Sequence, residues 1–183
     1  MLTLFSNRLC LRPLESQDLA AFCAYRSDPE VARYQGWDAP YALERATALL
    51  EEMQRHAPGT PGHWTQMAVE RLGQPGLIGD CAFHVQADDH QQALVGYTFA
   101  REFQGQGFAS EAVTRLLGFL FDDLNLHRVS AYCDVNNLPS ARLLERVGMR
   151  LEGHFVENIW FKGAWCSEFQ YAMLKSEWRQ RQQ

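Results

Sequence analysis

The stretch between Gln92 and Val135 constrains the fold most strongly, because two strand patterns flank the most regular helix pattern in the chain. Strands are predicted over residues 92–100 and 128–135, and a helix is predicted over residues 107–122. The apolar side chains of this helix recur at the spacing of one face: Ala109, Ala112, Val113, Leu116, Leu117, Leu120 and Phe121. A strand–helix–strand unit implies parallel neighbouring strands and a right-handed crossover. The sequence therefore predicts a mixed α/β fold.

The remaining patterns predict about seven strands and four helices in all. A helix that Ser16 can cap is predicted to run to Arg26, and a second helix is predicted from Pro40 until the prolines and glycines near residue 58. A later helix is predicted over Asn137–Val147, with Gly148 as its C-terminal cap. The other predicted strands are residues 8–14, 64–71, 77–86, 151–161 and 165–174.

Composition limits the classes of function. A chain of 183 residues with 46% apolar and 21% charged residues is typical of one globular domain, predicted here over residues 1–183. The 17 Lys and Arg against 22 Asp and Glu give a net charge of -5, which argues against a nucleic-acid-binding module.

Cysteines, histidines and apolar runs bear on compartment and on metal binding. The five cysteines contain no C-x-x-C pair and lie in apolar runs, which predicts reduced core residues in a cytoplasmic protein. The six histidines show no pair at ligand spacing and no H-E-x-x-H motif, so no metal site is expected. We also expect no signal peptide and no membrane span.

Two glycines stand in the loop that precedes the predicted helix at residue 107. Gly105 and Gly107 allow several backbone N–H groups to point at one anion at the positive end of a helix. A Walker loop would require a lysine that is missing here, and a Rossmann fingerprint would require a glycine at Ser110. The spacing alone leaves two interpretations open, a phosphate cradle and a turn that uses glycine only for its geometry.

The same residues resemble a known family. Gln104-x-x-Gly107-x-Ala109 is similar to the Q/R-x-x-G-x-G/A pattern of the GNAT superfamily of acyl-CoA N-acyltransferases, and residues 107–112 resemble the helix start of its ribosomal-protein-alanine branch. Four further segments resemble that branch in order along the chain: residues 8–14 (R-L-x-L-R-P-L), 134–141 (N-x-x-S), 144–153 (L-E-K-x-G-F-x-x-E-G) and 168–178 (last strand and E-W).

The resemblance implies a GNAT-like fold, a cosubstrate and its binding residues. The twisted mixed sheet would be splayed between the strand ending near Ala100 and the strand at residues 128–134, and acetyl-CoA would lie in the split. Its pyrophosphate would contact the loop N–H groups, its pantetheine would pair along residues 97–100, and its acetyl carbonyl would accept an N–H near Phe99. The implied cosubstrate-binding residues are Phe99, Ala100, Arg101, Gln104, Gly105, Gln106, Gly107, Phe108, Ala109 and Asn137.

The resemblance also places a hydroxyl, Ser140, near the sulfur of the leaving thiolate. Many relatives carry a tyrosine where this chain has Leu144, so the usual acid is replaced by Ser140 or water. The alternative role of Ser140 is to cap the helix that begins near Asn137.

The motifs point less clearly to a general base than to the residues that bind the cosubstrate. Glu157 is the candidate catalytic carboxylate, although the usual position of this branch aligns with Ile159; the two residues share a face in a regular strand. The alternative is that Glu157 is a solvated surface residue. His84 and Asp80, on one face of another strand, are further candidates with structural alternatives.

These features predict a cytoplasmic, acetyl-CoA-dependent N-acetyltransferase in which the acceptor amine attacks directly in a ternary complex. The acceptor would be a protein N-terminus or a small-molecule amine, and the resemblance suggests a homodimer. The alternative function is a non-catalytic acyl-CoA-binding sensor. Neither interpretation involves nucleic acid, membrane or metal.

Overall fold

The computed structural model describes residues 2–182 and is built around one mixed sheet. The strands are β1 (Leu4–Phe5), β2 (Leu9–Pro13), β3 (Trp64–Arg71), β4 (Gln74–Val85), β5 (Gln92–Phe99), β6 (Arg128–Asp134), β7 (Arg150–Phe161) and β8 (Ala164–Leu174). The helices are α1 (Leu19–Arg26), α2 (Pro29–Ala32), α3 (Leu43–Arg55), α4 (Phe108–Gly118), α5 (Leu138–Arg146) and α6 (Lys175–Gln180). The sheet order is β1-β2-β3-β4-β5-β6-β8-β7.

The one parallel strand pair among the described residues is β5–β6, as the crossover through α4 requires. This pair is short: Gln92–Leu94 pair with Arg128–Ser130, and the strands diverge beyond that point. We call the region between residues 95–99 of β5 and residues 131–134 of β6 the splay. All other neighbouring strands are antiparallel.

Both faces of the sheet are covered by apolar clusters. Successive side chains of a strand point to opposite faces, so one strand contributes residues to both clusters. On β3, Ala68 packs with Phe22 of α1 and Ala46 of α3, whereas Met67 and Val69 face the opposite cluster. That second cluster contains the inner face of α4, including Leu116 and Leu117, which are completely buried. Two helical layers therefore hold the sheet between them and leave the splay between β5 and β6.

The predicted fold class is confirmed, but the element count is higher than predicted. Over residues 2–182 the structure has eight strands and six α-helices, against the predicted seven and four. The additional elements are short: β1 has two residues, α2 has four and α6 has six. Such elements are shorter than two helical turns or two strand alternations, so periodicity cannot reveal them.

Several predicted boundaries are wrong for identifiable reasons. Ser16 does not cap a helix; it begins a short 3₁₀ turn, in which the Asp18 carboxylate accepts the Glu15 N–H at 2.8 Å. Strand β4 begins at Gln74 because the turn closes earlier than predicted. Helix α4 changes into a π-helical turn at Phe119, where the Leu124 N–H reaches the Phe119 carbonyl at 3.0 Å.

The cysteines are all free thiols, but they are less uniformly buried than predicted. Cys81 and Cys133 are buried, whereas Cys10, Cys23 and Cys166 are partly exposed. Among the helices of residues 2–182, none has the length and apolar character of a membrane span.

Candidate functional site

Strand β5 directs unpaired backbone donors into the splay. The Ala100 N–H donates to the Ile78 carbonyl of β4 at 3.0 Å, and backbone direction alternates along an antiparallel strand. The N–H and C=O groups of Tyr97 and Phe99 therefore face away from β4 and into the splay. The Phe99 carbonyl accepts the Gln104 side-chain amide at 2.9 Å. This bond holds the loop that contains Gly105 and Gly107, called the glycine loop below, against the end of the strand.

The glycine loop leads directly into α4. Gly105 and Gly107 adopt positive φ angles of 73° and 81°, which L-residues rarely adopt, and a Cβ at Gly105 would meet open space. Gly107 is the N-cap of α4, and no side chain among residues 2–182 caps the first turn. The N–H groups of Phe108, Ala109 and Ser110 thus lack helical partners at the positive end of the dipole. An anionic group fits this arrangement.

Two arginines that are not among the predicted cosubstrate-binding residues flank this helix start. Arg8 donates to the Glu111 carboxylate at 2.6 Å and to the Gln106 carbonyl at 3.3 Å. Arg146 donates to the Ser110 hydroxyl at 3.3 Å. Arg146 therefore adds positive charge beside the orphan N–H groups, whereas the charge of Arg8 is balanced by Glu111. Arg8 falls in the R-L-x-L-R-P-L segment, but its proximity to α4 requires the tertiary fold.

The other predicted loop residues lie beside this helix start. Arg101 opens a three-residue 3₁₀ turn and is exposed, and the Gln106 side chain donates to the Glu102 carbonyl at 2.7 Å. The Phe108 side chain is buried, so Phe108 offers only its backbone to a ligand. The structure therefore brings the predicted loop residues together at one end of the splay.

Ser140 reaches the splay from α5. Its hydroxyl lies 2.8 Å from the Tyr97 hydroxyl, and Tyr97 projects from the β5 side. The N-cap of α5 is Asn137, whose Oδ1 accepts the Ser140 N–H at 3.3 Å. The Ser140 side chain therefore does not cap the helix. Burial raises the pKa of Tyr97 well above its ordinary value, so the phenol stays protonated at neutral pH.

Cys133 lies against the same serine but is not an activated nucleophile. Burial raises the pKa of its thiol to about 11, an effect that the nearby Ser140 partly opposes. A thiol with this pKa is almost fully protonated at neutral pH, and the thiolate is the reactive form. An acyl-cysteine intermediate therefore receives no support from the geometry.

The segment between α2 and α3 contacts both sides of the splay. The Gln35 amide donates to the Tyr97 carbonyl at 3.4 Å, and the Tyr34 hydroxyl donates to the Asn136 carbonyl at 3.4 Å. The Lys162 ammonium, at the β7–β8 turn, donates to the Trp37 carbonyl at 2.6 Å. Aromatic and amide side chains of this segment therefore border the side of the splay opposite the glycine loop.

Glu157 lies in an irregular part of β7, not in a regular strand. The register shifts between Phe155 and Ile159, and Glu157 has a φ of 47°. The expectation that Glu157 and Ile159 share a face through regular alternation is therefore wrong. The Glu157 N–H donates to Ser167 at 2.9 Å, and the Ser167 carbonyl accepts the Val135 N–H at 3.1 Å. Glu157 is exposed, at the end of the sheet where β6 diverges from β5.

Asp80 and His84 do not face the splay as available bases. Asp80 is buried and accepts from Arg26 at 3.0 Å as well as from Tyr25 and Gln66. His84 pairs with Leu94, which is three residues before Tyr97 on β5 and thus about 10 Å away from it along the strand. These two residues belong to the interior beneath α1 and to the far end of β4.

Comparisons with known proteins agree with this geometry. Residues 8–150 match the family described as Acetyltransferase (GNAT) domain. The uncharacterized N-acetyltransferase p20 of Bacillus licheniformis is 30% identical over 178 residues, covering 97% of this chain and 99% of p20.

Two solved structures share the fold. An acetyltransferase (GNAT family) from Bacillus anthracis has a TM-score of 0.85 and 28% identity, covering 96% of this chain and 99% of that one. Spermidine N-acetyltransferase from Vibrio cholerae, in complex with CoA and spermine, has a TM-score of 0.81 and 26% identity, covering 95% and 99%. The family match over most of the chain, together with the splayed sheet and the uncapped helix beside it, shows that this chain belongs to the GNAT family and is an N-acetyltransferase.

Proposed function

We propose that the protein transfers an acetyl group from acetyl-CoA to a primary amine by direct attack in a ternary complex. One observation supports the proposal most strongly: three features lie together at the splay. They are the unpaired backbone N–H groups of β5, the uncapped start of α4 and the Ser140–Tyr97 pair. The CoA and spermine complex of the Vibrio cholerae relative supports an acyl-CoA donor and an amine acceptor. In this proposal, residues 1–183 form one acetyltransferase domain.

Binding would use backbone groups more than side chains. The N–H groups of residues 105–109 would take the pyrophosphate, with Arg146 supplying nearby positive charge. The splay-facing groups of Tyr97 would pair with an extended pantetheine chain as a neighbouring strand would, and the Phe99 N–H would remain for the acetyl carbonyl. Gln104 would fix the loop, and Asn137 would border the opposite side.

Three groups at the splay would have separate roles in the reaction: the Phe99 N–H, the Tyr97 phenol and the Ser140 hydroxyl. Acetyl-CoA supplies an activated thioester when bound. The Phe99 N–H would donate to the carbonyl oxygen as negative charge develops on it. Tyr97, kept protonated by burial, would donate to the Ser140 oxygen, which leaves the Ser140 hydrogen free to stabilise the departing sulfur.

We predict that Ser140→Ala lowers kcat by roughly 10-fold to 100-fold and raises KM for acetyl-CoA less. Because Asn137 caps α5, the substitution should leave the melting temperature almost unchanged. Steady-state assays that follow free CoA test this, with Ser16→Ala, at an exposed and distant position, as the matched control. An unchanged kcat in Ser140→Ala would remove Ser140 from the mechanism.

Glu157 is the proposed general base, because its segment is tied through Ser167 to the end of β6 at the splay. We predict that Glu157→Gln preserves acetyl-CoA affinity, lowers kcat/KM on the order of 100-fold and removes a limb of the pH–rate profile. Glu168→Gln is the comparison, since Glu168 accepts the Asn158 amide at 2.7 Å on the same hairpin. If Glu168→Gln loses this limb of the pH–rate profile and Glu157→Gln keeps it, Glu157 is not the general base.

In this proposal the acceptor is a protein N-terminus or a small-molecule amine. An acceptor panel containing polyamines, amino acids, aminoglycosides and N-terminal peptides, assayed by CoA release, tests the proposal. Turnover with at least one amine is expected. Binding of acetyl-CoA without turnover of any amine would favour the alternative, a non-catalytic acyl-CoA sensor.

Two further parts of the proposal concern assembly and compartment. The hairpin of edge strand β7 and its neighbour β8 exposes large apolar side chains, including Val156 at 70%, Trp160 at 61% and Trp165 at 59%. This exposed surface supports a homodimer through the hairpin. Sedimentation that finds only monomer at assay concentrations would contradict the dimer. Five free thiols support a reducing compartment, the cytoplasm.

A further inference from the structure

Two histidines and a carboxylate meet at the end of α3, away from the splay. The Glu52, His56 and His63 ligand atoms all lie within 4.8 Å of one another. The His63 Nδ1 is 4.0 Å from a Glu52 carboxylate oxygen, and the rings of His56 and His63 stack with centroids 3.5 Å apart. The spacing of the histidines does not predict this pair, because a six-residue loop separates His56 from His63.

The loop that brings His63 back to His56 is held by hydrogen bonds. The Thr60 N–H donates to the Ala57 carbonyl at 3.0 Å, and the His63 N–H donates to the Thr60 carbonyl at 3.2 Å. At its base, the Gly62 N–H donates to the Val85 carbonyl of β4 at 2.9 Å. The two histidines therefore start from fixed backbone positions, and Glu52 lies one helical turn before His56.

We propose that Glu52, His56 and His63 bind a divalent transition-metal ion of the zinc type. Two imidazole nitrogens and one carboxylate oxygen are a donor set that Zn²⁺ takes in proteins, with water as a fourth ligand. Ligand bonds of about 2.1 Å place tetrahedral donors about 3.4 Å apart, so the donor atoms, which now lie within 4.8 Å, must move closer. The two stacked rings, 20° from parallel, must also turn until one nitrogen of each points at the ion. Glu52 is exposed and both rings are partly exposed, which leaves room for this rotation.

No fixed positive charge opposes a metal ion at this cluster in the part of the chain that the structure describes. Arg55 is the neighbouring cation, but it reaches Glu52 only at 4.0 Å, and its side chain is 66% exposed and free to turn to solvent. The cluster is also separate from the glycine loop. Trp64, next to His63, begins β3 and pairs with His84 near the end of β4, whereas the glycine loop follows the opposite end of β5. The ion would thus connect the last turn of α3 to the loop before β3 and take no part in acetyl transfer.

The test is a Zn²⁺ titration of the untagged protein against a chromophoric chelator, with Co²⁺ absorption as a report of nitrogen and oxygen ligation. We expect one equivalent per chain, a higher melting temperature with Zn²⁺, and weaker binding at lower pH, because the ion binds only the neutral imidazole. His56→Ala and His63→Ala should each weaken binding at least 10-fold, and Glu52→Gln should weaken it less.

The controls are His90→Ala and Glu51→Gln, which change exposed residues outside the cluster and should bind Zn²⁺ as wild type does. The proposal is overturned if wild type binds Zn²⁺ no more tightly than the His56→Ala, His63→Ala double variant. It is also overturned if the controls lose as much affinity as the cluster variants. The metal-free melting temperature of each variant verifies that it is folded.

Discussion

Gly107→Glu is expected to lower the affinity for acetyl-CoA by at least about 100-fold. A side chain at Gly107 has room, since its Cβ would meet only Arg8 Nη2 at 3.4 Å. The added carboxylate would lie beside the N–H groups of Phe108 to Ser110, where the pyrophosphate is proposed to bind. Two like charges about 4 Å apart repel by about 4 kcal/mol at an effective dielectric constant of 20, which exceeds a 100-fold change.

The matched control for this substitution is Gly107→Gln. Glutamine has the same shape and meets the same backbone strain at a φ of 81°, so the pair of variants isolates the charge. Calorimetric titration of both folded variants with acetyl-CoA gives the comparison. Equal losses would assign the effect to the backbone, and wild-type affinity in Gly107→Glu would place the phosphates elsewhere.

Asp80→Asn should destabilise the fold by about 3–5 kcal/mol, the usual cost of removing one partner from a buried ion pair. The Arg26 guanidinium lies 3.8 Å from the Phe22 ring centroid and 4.0 Å from that of Trp37. It is therefore enclosed by aromatic rings and has little access to water. Without the Asp80 charge, the guanidinium remains buried with no counter-ion to offset its lost hydration.

Urea denaturation followed by tryptophan fluorescence measures this loss of unfolding free energy. Glu30→Gln is the control, because the Glu30–Arg33 pair spans 3.8 Å with both side chains 61% exposed. Exposed pairs contribute little, so the control should unfold close to wild type. A change in Asp80→Asn as small as that of the control would show that Arg26 does not depend on the Asp80 charge.

Local periodicity accounts for the parts of the fold that the sequence predicts well. Helix α4 follows from its apolar spacing, and the glycine loop before it follows from two residues with positive φ angles. The limits of β3, β5 and β6 were predicted to within one residue because turn residues bound them. The motifs likewise drew attention to the glycine loop and to Ser140 because each motif is a short, local run of residues.

The features that could not be predicted depend on contacts between distant segments. The Tyr97–Ser140 contact joins residues 43 positions apart, and the Arg8–Glu111 pair joins residues 103 positions apart. The irregularity at Glu157 reflects how β7 pairs with β8, which alternation within one strand does not encode. The approach of His63 to His56 likewise depends on the path of a loop that pairs with β4.

The early divergence of β5 from β6 gives the protein an edge strand in the middle of its own sheet. Exposed edges normally invite pairing with other polypeptide chains and are a common origin of aggregation. Here the edge is flanked by β6, with α5 and the segment from Tyr34 to Trp37 beside it. This edge therefore does not lie at the border of the sheet, where strands of other proteins pair, and an extended pantetheine chain is its proposed occupant.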